Sequence, residues 1–331
     1  MDLQIQNAVL LVFICLASVA KSQIVLGSIN APTNGLERAE KIGLGLLPSP
    51  EDLSFDREKK SFFTGCGDGW IKRVWIDGRD AEEQVENWNF VGGRPLGVAF
   101  GPNQEVIVCE LTKGLLNVTK DKVEVLCSEA DGFKFKGMDG VDVSKDGTIY
   151  FTDATLGLLI KYNPSTKIST VLLTDLDYPN GVAVSAQEDF LIFCETYSLK
   201  CPKYWLKGNK SGQVETFAES LPAYPDNVRV DDEGTFWIGL LGTKTEDKDS
   251  IVKYLKLRPP LKRVWNILNQ HRLKIRPIFG PAGILGVKEN GQVSAFISDS
   301  QRTLISGAVK VNSSLFFASL SENFINRLDL L

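Results

Sequence analysis

The chain has 331 residues, 43% of them hydrophobic and 24% charged, an ordinary globular composition. Lys and Arg total 37 against 41 Asp and Glu, a net charge of −4 of mixed sign along the chain, which offers no basic stripe to a nucleic acid. The length admits two average domains or one large all-β domain.

The first element is an apolar run from Ala8 to Ala20, shorter than the roughly 20 residues a bilayer crossing needs. Ala20 and Ser22 stand at −3 and −1 of a cleavage site before Gln23, the pattern of a secretory leader, although the residues ahead of the run include Asp2 and no basic side chain. The expectation is a signal peptide over residues 1–22 and a single domain over 23–331, with no membrane span in the mature chain. Its destination is then the vacuole or the extracellular space.

Cys15 falls inside the leader, leaving Cys66, Cys109, Cys127, Cys194 and Cys201, an odd number that cannot all pair internally. In "CETYSLKC", Cys194 ends one strand and Cys201 begins the next, so a hairpin brings them together as the expected disulfide. Asn117-Val-Thr, Asn209-Lys-Ser and Asn312-Ser-Ser have the form of N-glycosylation acceptors.

From Ser49 onward the chain repeats itself. "SPEDLSFDREKKSFFTG", "RPLGVAFGPNQEVIVCE", "GMDGVDVSKDGTIYFTD", "YPNGVAVSAQEDFLIFCE" and "YPDNVRVDDEGTFWIGL" share one plan. Each has a small or polar mouth, an alternating strand, a polar turn and a second strand rich in aromatic and β-branched residues. "GWIKRVWI", "GLLNVT", "GLLIKYN" and "KYWLKG" supply third strands. A period of roughly 40 residues with about four short strands per unit predicts propeller blades. "GILGVKENGQVSAFISD" with "GAVKVNSSLFFASLSENFINRLDL" completes a sixth unit. The prediction is a six-bladed all-β propeller in which the segment from Gln23 to Pro48 adds an outer strand to the last blade and closes the ring. One helical pattern stands out in "KLRPPLKRVWNILNQHRL", where Val264, Ile267 and Leu268 follow Pro259-Pro260. It predicts a short helix, Arg263 to His271, inserted between blades five and six.

In a propeller the inner strands stand side by side around a central channel, so their starts converge. The mouths carry Glu51, Leu96, Met138-Asp139, Asn180 and Asp226-Asn227. Carboxylate and amide oxygens around an axis suit a hard cation such as Ca²⁺. The single histidine, His271, lies in the insertion and argues against imidazole ligation. Asn and Asp ahead of strands also close turns on their own backbone, but oxygen donors at one phase of three repeats favour a cation. Gly97, Gly140 and Gly181 follow the mouths and read as sites of close backbone packing. No phosphate loop, Ser-His-Asp spacing or zinc motif is present.

Taken together, "GGRPLGVAFG", "VDVSKDGTIYFTDA", "YPNGVAVS", "KYWLKG" and "LPAYPDNVRVDDEGTFWIGL" resemble the strictosidine synthase-like family of plants, from about Leu47 to the C-terminus. The resemblance implies a six-bladed propeller. It also implies kinship with strictosidine synthase, which condenses tryptamine with an aldehyde, and with the calcium-dependent lactonases and phosphotriesterases. The glutamate that serves the condensation precedes the last blade's inner strand and here falls near Ser306 or Gly307, neither of which shuttles a proton as a carboxylate does.

The calcium-hydrolase pattern maps its glutamate onto Glu51, one asparagine onto Asn180 and an Asp-Asn pair onto Asp226-Asn227. A second asparagine falls on Met138, with neighbouring Asp139 as substitute, and a histidine of the paraoxonase type is replaced by Leu96. The resemblance therefore implies Ca²⁺ held by Glu51, Asn180, Asp226 and Asn227, with Asp139 and Asp226 as catalytic carboxylates. The implied activity is hydrolysis of an ester or lactone of plant specialised metabolism, on a small molecule in the central channel. Amine–aldehyde condensation through another carboxylate and a non-catalytic glycoprotein role are the alternatives. "FTDATLGLLIKYNPSTK" lacks a long loop after the third blade's second strand, leaving that side of the channel more open.

Overall fold

Short alternating runs separated by Gly- and Asp-bearing turns fold as antiparallel meanders, each strand pairing with the one before it. A computed structural model describes residues 33–76, 84–101, 103–243, 282–299, 302 and 304–330. Within them lie six sheets of the propeller type: blade one at Ser54–Phe90, two at Pro95–Cys127, three at Met138–Leu173, four at Pro179–Ala218, five at Ala223–Asp299 and six at Ile305–Asp329. In every blade the first strand is innermost. The third blade's second and third strands are joined by the short turn 154–157.

The predicted closure is present. Glu40–Ile42 pairs antiparallel with Ile325–Asp329 and becomes the outer strand of blade six. Just upstream, Thr33–Asn34 pairs parallel with Val293–Asp299, the outer strand of blade five. One N-terminal stretch thus covers the edges of two blades.

The division of the last two blades differs from the sequence expectation. Thr235–Thr243 pairs directly with Ala282–Lys288, so residues 244–281 interrupt blade five instead of separating it from blade six. "GILGVKENGQVSAFISD" is the outer half of blade five, and blade six takes its fourth strand from the N-terminal segment. A long interposed stretch breaks the repeat's spacing, so the outer pair reads in sequence as a new unit. The predicted helix with His271, and the leader over residues 1–22, lie outside the described residues. No described helix is long and apolar enough to cross a membrane.

The core lies between blades. Just past each mouth the inner strand meets a bulky partner on the second strand: Val98 faces Val108, Val141 faces Phe151, Val182 faces Phe193, Val228 faces Ile238 and Ala308 faces Phe317. All five partners are fully buried, each worth about 1.5–3 kcal/mol of transfer free energy. Phe62 of blade one stacks on Phe316 of blade six at 4.7 Å between ring centroids, sealing the closure.

Candidate metal centre at the channel mouth

The mouths project side chains because the strand ladders slip there. Register shifts fall between Pro95 and Val98, Met138 and Val141, Pro179 and Val182, and Pro225 and Val228. In each, two residues stand opposite one, and the extra residue leaves the ladder. Those pairs are Leu96-Gly97, Asp139-Gly140, Asn180-Gly181 and Asp226-Asn227. The second member is small where the next blade crowds it. A Cβ on Gly140 would lie 2.5 Å from the Asn180 carbonyl oxygen, and one on Gly181 would lie 2.5 Å from the Asn227 Cα.

Glu51, Asp139 and Asp226, from blades one, three and five, bring carboxylate oxygens within 4.8 Å of one another, and all three residues are buried. Asn180 of blade four joins them: its amide donates to Asp226, while its Oδ1 is buried with no hydrogen-bond partner. Asn227 Nδ2 donates to Glu51 Oε1 at 2.5 Å, and Glu51 Oε2 is buried and unpartnered. Ser306 of blade six donates its hydroxyl to the Glu51 carbonyl oxygen at 2.6 Å. The ring position of blade two is Leu96.

Met138 does not sit on this ring. It is fully buried in the apolar cluster between blades two and three with Leu115 and Phe151. Asp139, the substitute named for Met138 in sequence, takes the ring phase, because Asp139-Gly140 occupies the same register shift as Asn180-Gly181 and Asp226-Asn227 while Met138 is the counterpart of Pro179 and Pro225.

Burial pushes Glu51 up from its ordinary 4.5 to about 8, with the neighbouring Asp52 charge adding to it. Asp139 and Asp226 are held well above the carboxylate range by burial and then by Glu51. Three crowded carboxylates in a low dielectric cannot all ionise without a compensating cation. Arg94, at the second mouth, lowers the Glu51 pKa by its charge and donates Nη1 to the Ser49 carbonyl at 3.0 Å. Three residues further along the fifth inner strand, Arg229 pairs with buried Asp52 and donates to the carbonyls of Val141 at 2.9 Å and Val98 at 2.7 Å. That guanidinium ties blades one, two, three and five together deeper in the channel.

Comparison with known proteins follows the same lines. The sequence model of the strictosidine synthase family matches residues 155–209. Strictosidine synthase-like 7 of Arabidopsis thaliana is 39% identical over 315 residues, spanning 89% of this chain and 83% of that protein. The chain belongs to the strictosidine synthase-like family. The bovine adipocyte plasma membrane-associated protein is 28% identical over 90% of the chain and 80% of its own length. Among solved structures, a gluconolactonase from Xanthomonas campestris superposes with a TM-score of 0.66 at 15% identity, covering 90% of this chain and 92% of that one. At that identity the likeness is one of fold.

This strictosidine synthase-like chain holds further residues at its mouth that sequence reasoning missed. Glu110, Asp153 and Glu195 end the second strands of blades two, three and four, and all three are buried. They accept backbone N–H bonds, each at 2.7 Å, from Arg94, Lys136 and Asp177 respectively, and so clamp the loops that lead into the mouths. The endings "VCE", "FTD" and "FCE" are the signal that marks them. Tyr178 is the other omission. It holds φ at +61° immediately before Pro179-Asn180 and stacks on Tyr197 at 4.7 Å. Burial, then Tyr197, then the charges of Asp139 and Asp226 raise its phenol's pKa.

Cys194 and Cys201 form the predicted disulfide. Cys194 faces the Asn180-Gly181 shift, so the bond braces the strand behind one ring position. Cys66 and Cys109 are buried free thiols, and Cys127 is a half-buried one. A disulfide of this kind is characteristic of the secretory route.

Proposed function

We propose that this protein is a divalent-cation-dependent hydrolase of small esters or lactones, with its substrate in the mouth of the central channel. One observation carries the reading: Glu51 Oε2 and Asn180 Oδ1 are buried without partners beside Asp139 and Asp226. Buried polar oxygens are normally satisfied, and two unpartnered ones beside three crowded carboxylates fit the coordination of a cation. The donors are all oxygen, three of them carboxylates, which suits a hard ion such as Ca²⁺. Glu51, Asp139, Asn180 and Asp226 would hold it, and Asn227 would orient Glu51 through its hydrogen bond. When bound, such an ion supplies Lewis-acid polarisation of a carbonyl oxygen.

The protein's own groups divide the remaining work. Asp139 is 7% exposed against 2% for Glu51 and Asp226, which gives it the best access to a solvent molecule. It acts as the base that takes a proton from water attacking the acyl carbon. The stacked rings of Tyr178, close to Asn180 along the chain, and Tyr197 would flank the substrate. The fold shared with a gluconolactonase is compatible with this reaction class. The position that the resemblance assigns to the condensing glutamate falls near Ser306 or Gly307, neither a carboxylic acid, and the Ser306 hydroxyl is engaged with the Glu51 backbone. The leader pattern and the disulfide support a secretory setting, vacuolar or extracellular.

The test is a panel of aryl esters and lactones assayed with protein purified in Ca²⁺, after chelation, and after Ca²⁺ is restored. Turnover lost on chelation and regained on restoration is expected. Amine–aldehyde coupling that survives chelation would replace the hydrolase reading with condensation. Bound metal without any turnover would leave a binding glycoprotein.

A further inference from the structure

The three acceptor triplets are equivalent in sequence and unequal in the fold. We propose that Asn209 and Asn312 carry N-linked glycans, that Asn117 stays bare, and that both glycans lie on the face opposite the channel mouth.

Asn117 is in the third strand of blade two, paired with Ile107 on one side and Glu124 on the other. Side chains alternate along a strand, so Asn117 shares its face with Leu115 and with its cross-strand partner Ile107. Both of those pack in the cluster that joins blade two to Phe151 and Ile160 of blade three. Asn117 is half-buried and its Oδ1 is fully so, unlike the other two acceptors. A sugar on this amide would press against the packing of blade two on blade three, so the glycosylated chain would not reach the packing seen here.

Asn209 and Asn312 lie at exposed tips. Asn209 is the middle residue of the single 3₁₀ turn Gly208–Lys210, between the third and fourth strands of blade four. Asn312 sits in the hairpin closed by the Val311–Ser314 pair, at φ +54°, a conformation that Asn tolerates better than most residues. At either site Nδ2 displaces the lipid pyrophosphate from C1 of a lipid-linked oligosaccharide, loses a proton, and leaves the fold undisturbed.

Topology then sets the side. Each inner strand starts at the mouth, so the turn between first and second strands lies at the far end of the blade. An antiparallel meander returns the turn between third and fourth strands to that same end. Asn312 occupies the first kind of turn in blade six, and Asn209 the second kind in blade four. Both glycans therefore project away from Glu51, Asp139 and Asp226, and the mouth stays open.

This assignment does not depend on the hydrolase reading. The experiment is site-resolved glycopeptide mass spectrometry of the full chain secreted from a eukaryotic host, with enzymatic deglycosylation in heavy-oxygen water. Labelled aspartate is expected at positions 209 and 312, and unmodified Asn at 117. A glycan at Asn117 in folded secreted protein, or a bare Asn209 or Asn312, overturns the proposal. As a second readout, Asn209→Gln and Asn312→Gln should each remove one electrophoretic step and Asn117→Gln none. A mobility loss from Asn117→Gln would likewise overturn it.

Discussion

Two sets of buried acids lie at the mouth, and they are built for opposite ends. Glu110, Asp153 and Glu195 come from second strands, and their oxygens are met by backbone N–H groups: Glu110 alone accepts from Arg94, Thr112 and Lys113. Glu51, Asp139 and Asp226 come from inner-strand mouths, crowd one another, and include an oxygen with no partner. Burial and acidity are common to both sets. What separates them is satisfaction, so a buried carboxylate counts toward a site when its oxygens are left over, not because it is buried.

Substitutions separate the sets. Asp139→Asn should cause the largest change, lowering ester or lactone turnover by about 10²–10⁴ if Asp139 is the base, measured as kcat on the best substrate of the panel. Asp226→Asn keeps the side-chain shape and removes one ring charge. Ca²⁺ binding measured by calorimetry should weaken by at least about 100-fold, as hard-cation affinity follows ligand charge. The wild-type Tm should rise with added Ca²⁺ and the variant's should stay flat, because a ligand that binds the folded state alone stabilises it by mass action.

A clamp variant should show the reverse pattern. Glu110→Gln breaks charge-assisted bonds to backbone donors and should cost about 3 kcal/mol of stability in urea unfolding, with the loss undiminished by Ca²⁺. A Glu110→Gln protein rescued by Ca²⁺ would erase the distinction drawn here.

The ring also sets a pH signature. Glu51 binds its proton in the folded state up to about pH 8 but in the unfolded chain only up to its ordinary 4.5. Between those values the folded state holds more protons, so metal-free stability falls as pH rises through that window. Cation binding displaces those protons, so the Tm gain from Ca²⁺ should grow over the same range. A metal-free Tm that climbs from pH 5 to pH 8 would contradict the crowded-acid description. The smallest expected effect is that of Asn227→Ala, which removes a neutral donor to Glu51 and should weaken Ca²⁺ about tenfold, as loss of a ligand-orienting contact does.

Much of this architecture was legible in the sequence because a propeller writes the same hydrophobic pattern again and again. The repeat predicted the blade count, the convergence of the mouths and the outer strand that closes the ring. Blade five was misdivided because pairing partners separated by residues 244–281 carry no local sign of each other. The family pattern matches Met138 to a ring position, with Asp139 as its substitute, whereas the repeat itself aligns Asp139 with Asn180 and Asp226 and Met138 with Pro179 and Pro225. The clamps went unread although their acids recur in plain view, since nothing local tells a saturated carboxylate from a bare one. Arg94 and Tyr178 stand immediately before Pro95 and Pro179 in their mouths, but nothing in one dimension tells which of a mouth's residues reaches the ring.

The strand Glu40–Ile42 finds its partner, Ile325–Asp329, at the other end of the chain. A pairing with such a long loop to close is slow. During synthesis blades two to four can assemble from local hairpins, but blade six has no outer strand until the last of its own strands has emerged. Glu51 lies on the N-terminal side of that closure and Asp226 well beyond the middle, so the ring of acids is among the last features to exist. A ribosome-bound chain stopped short of Ile325 would carry every mouth acid and have no closed ring to hold them in register.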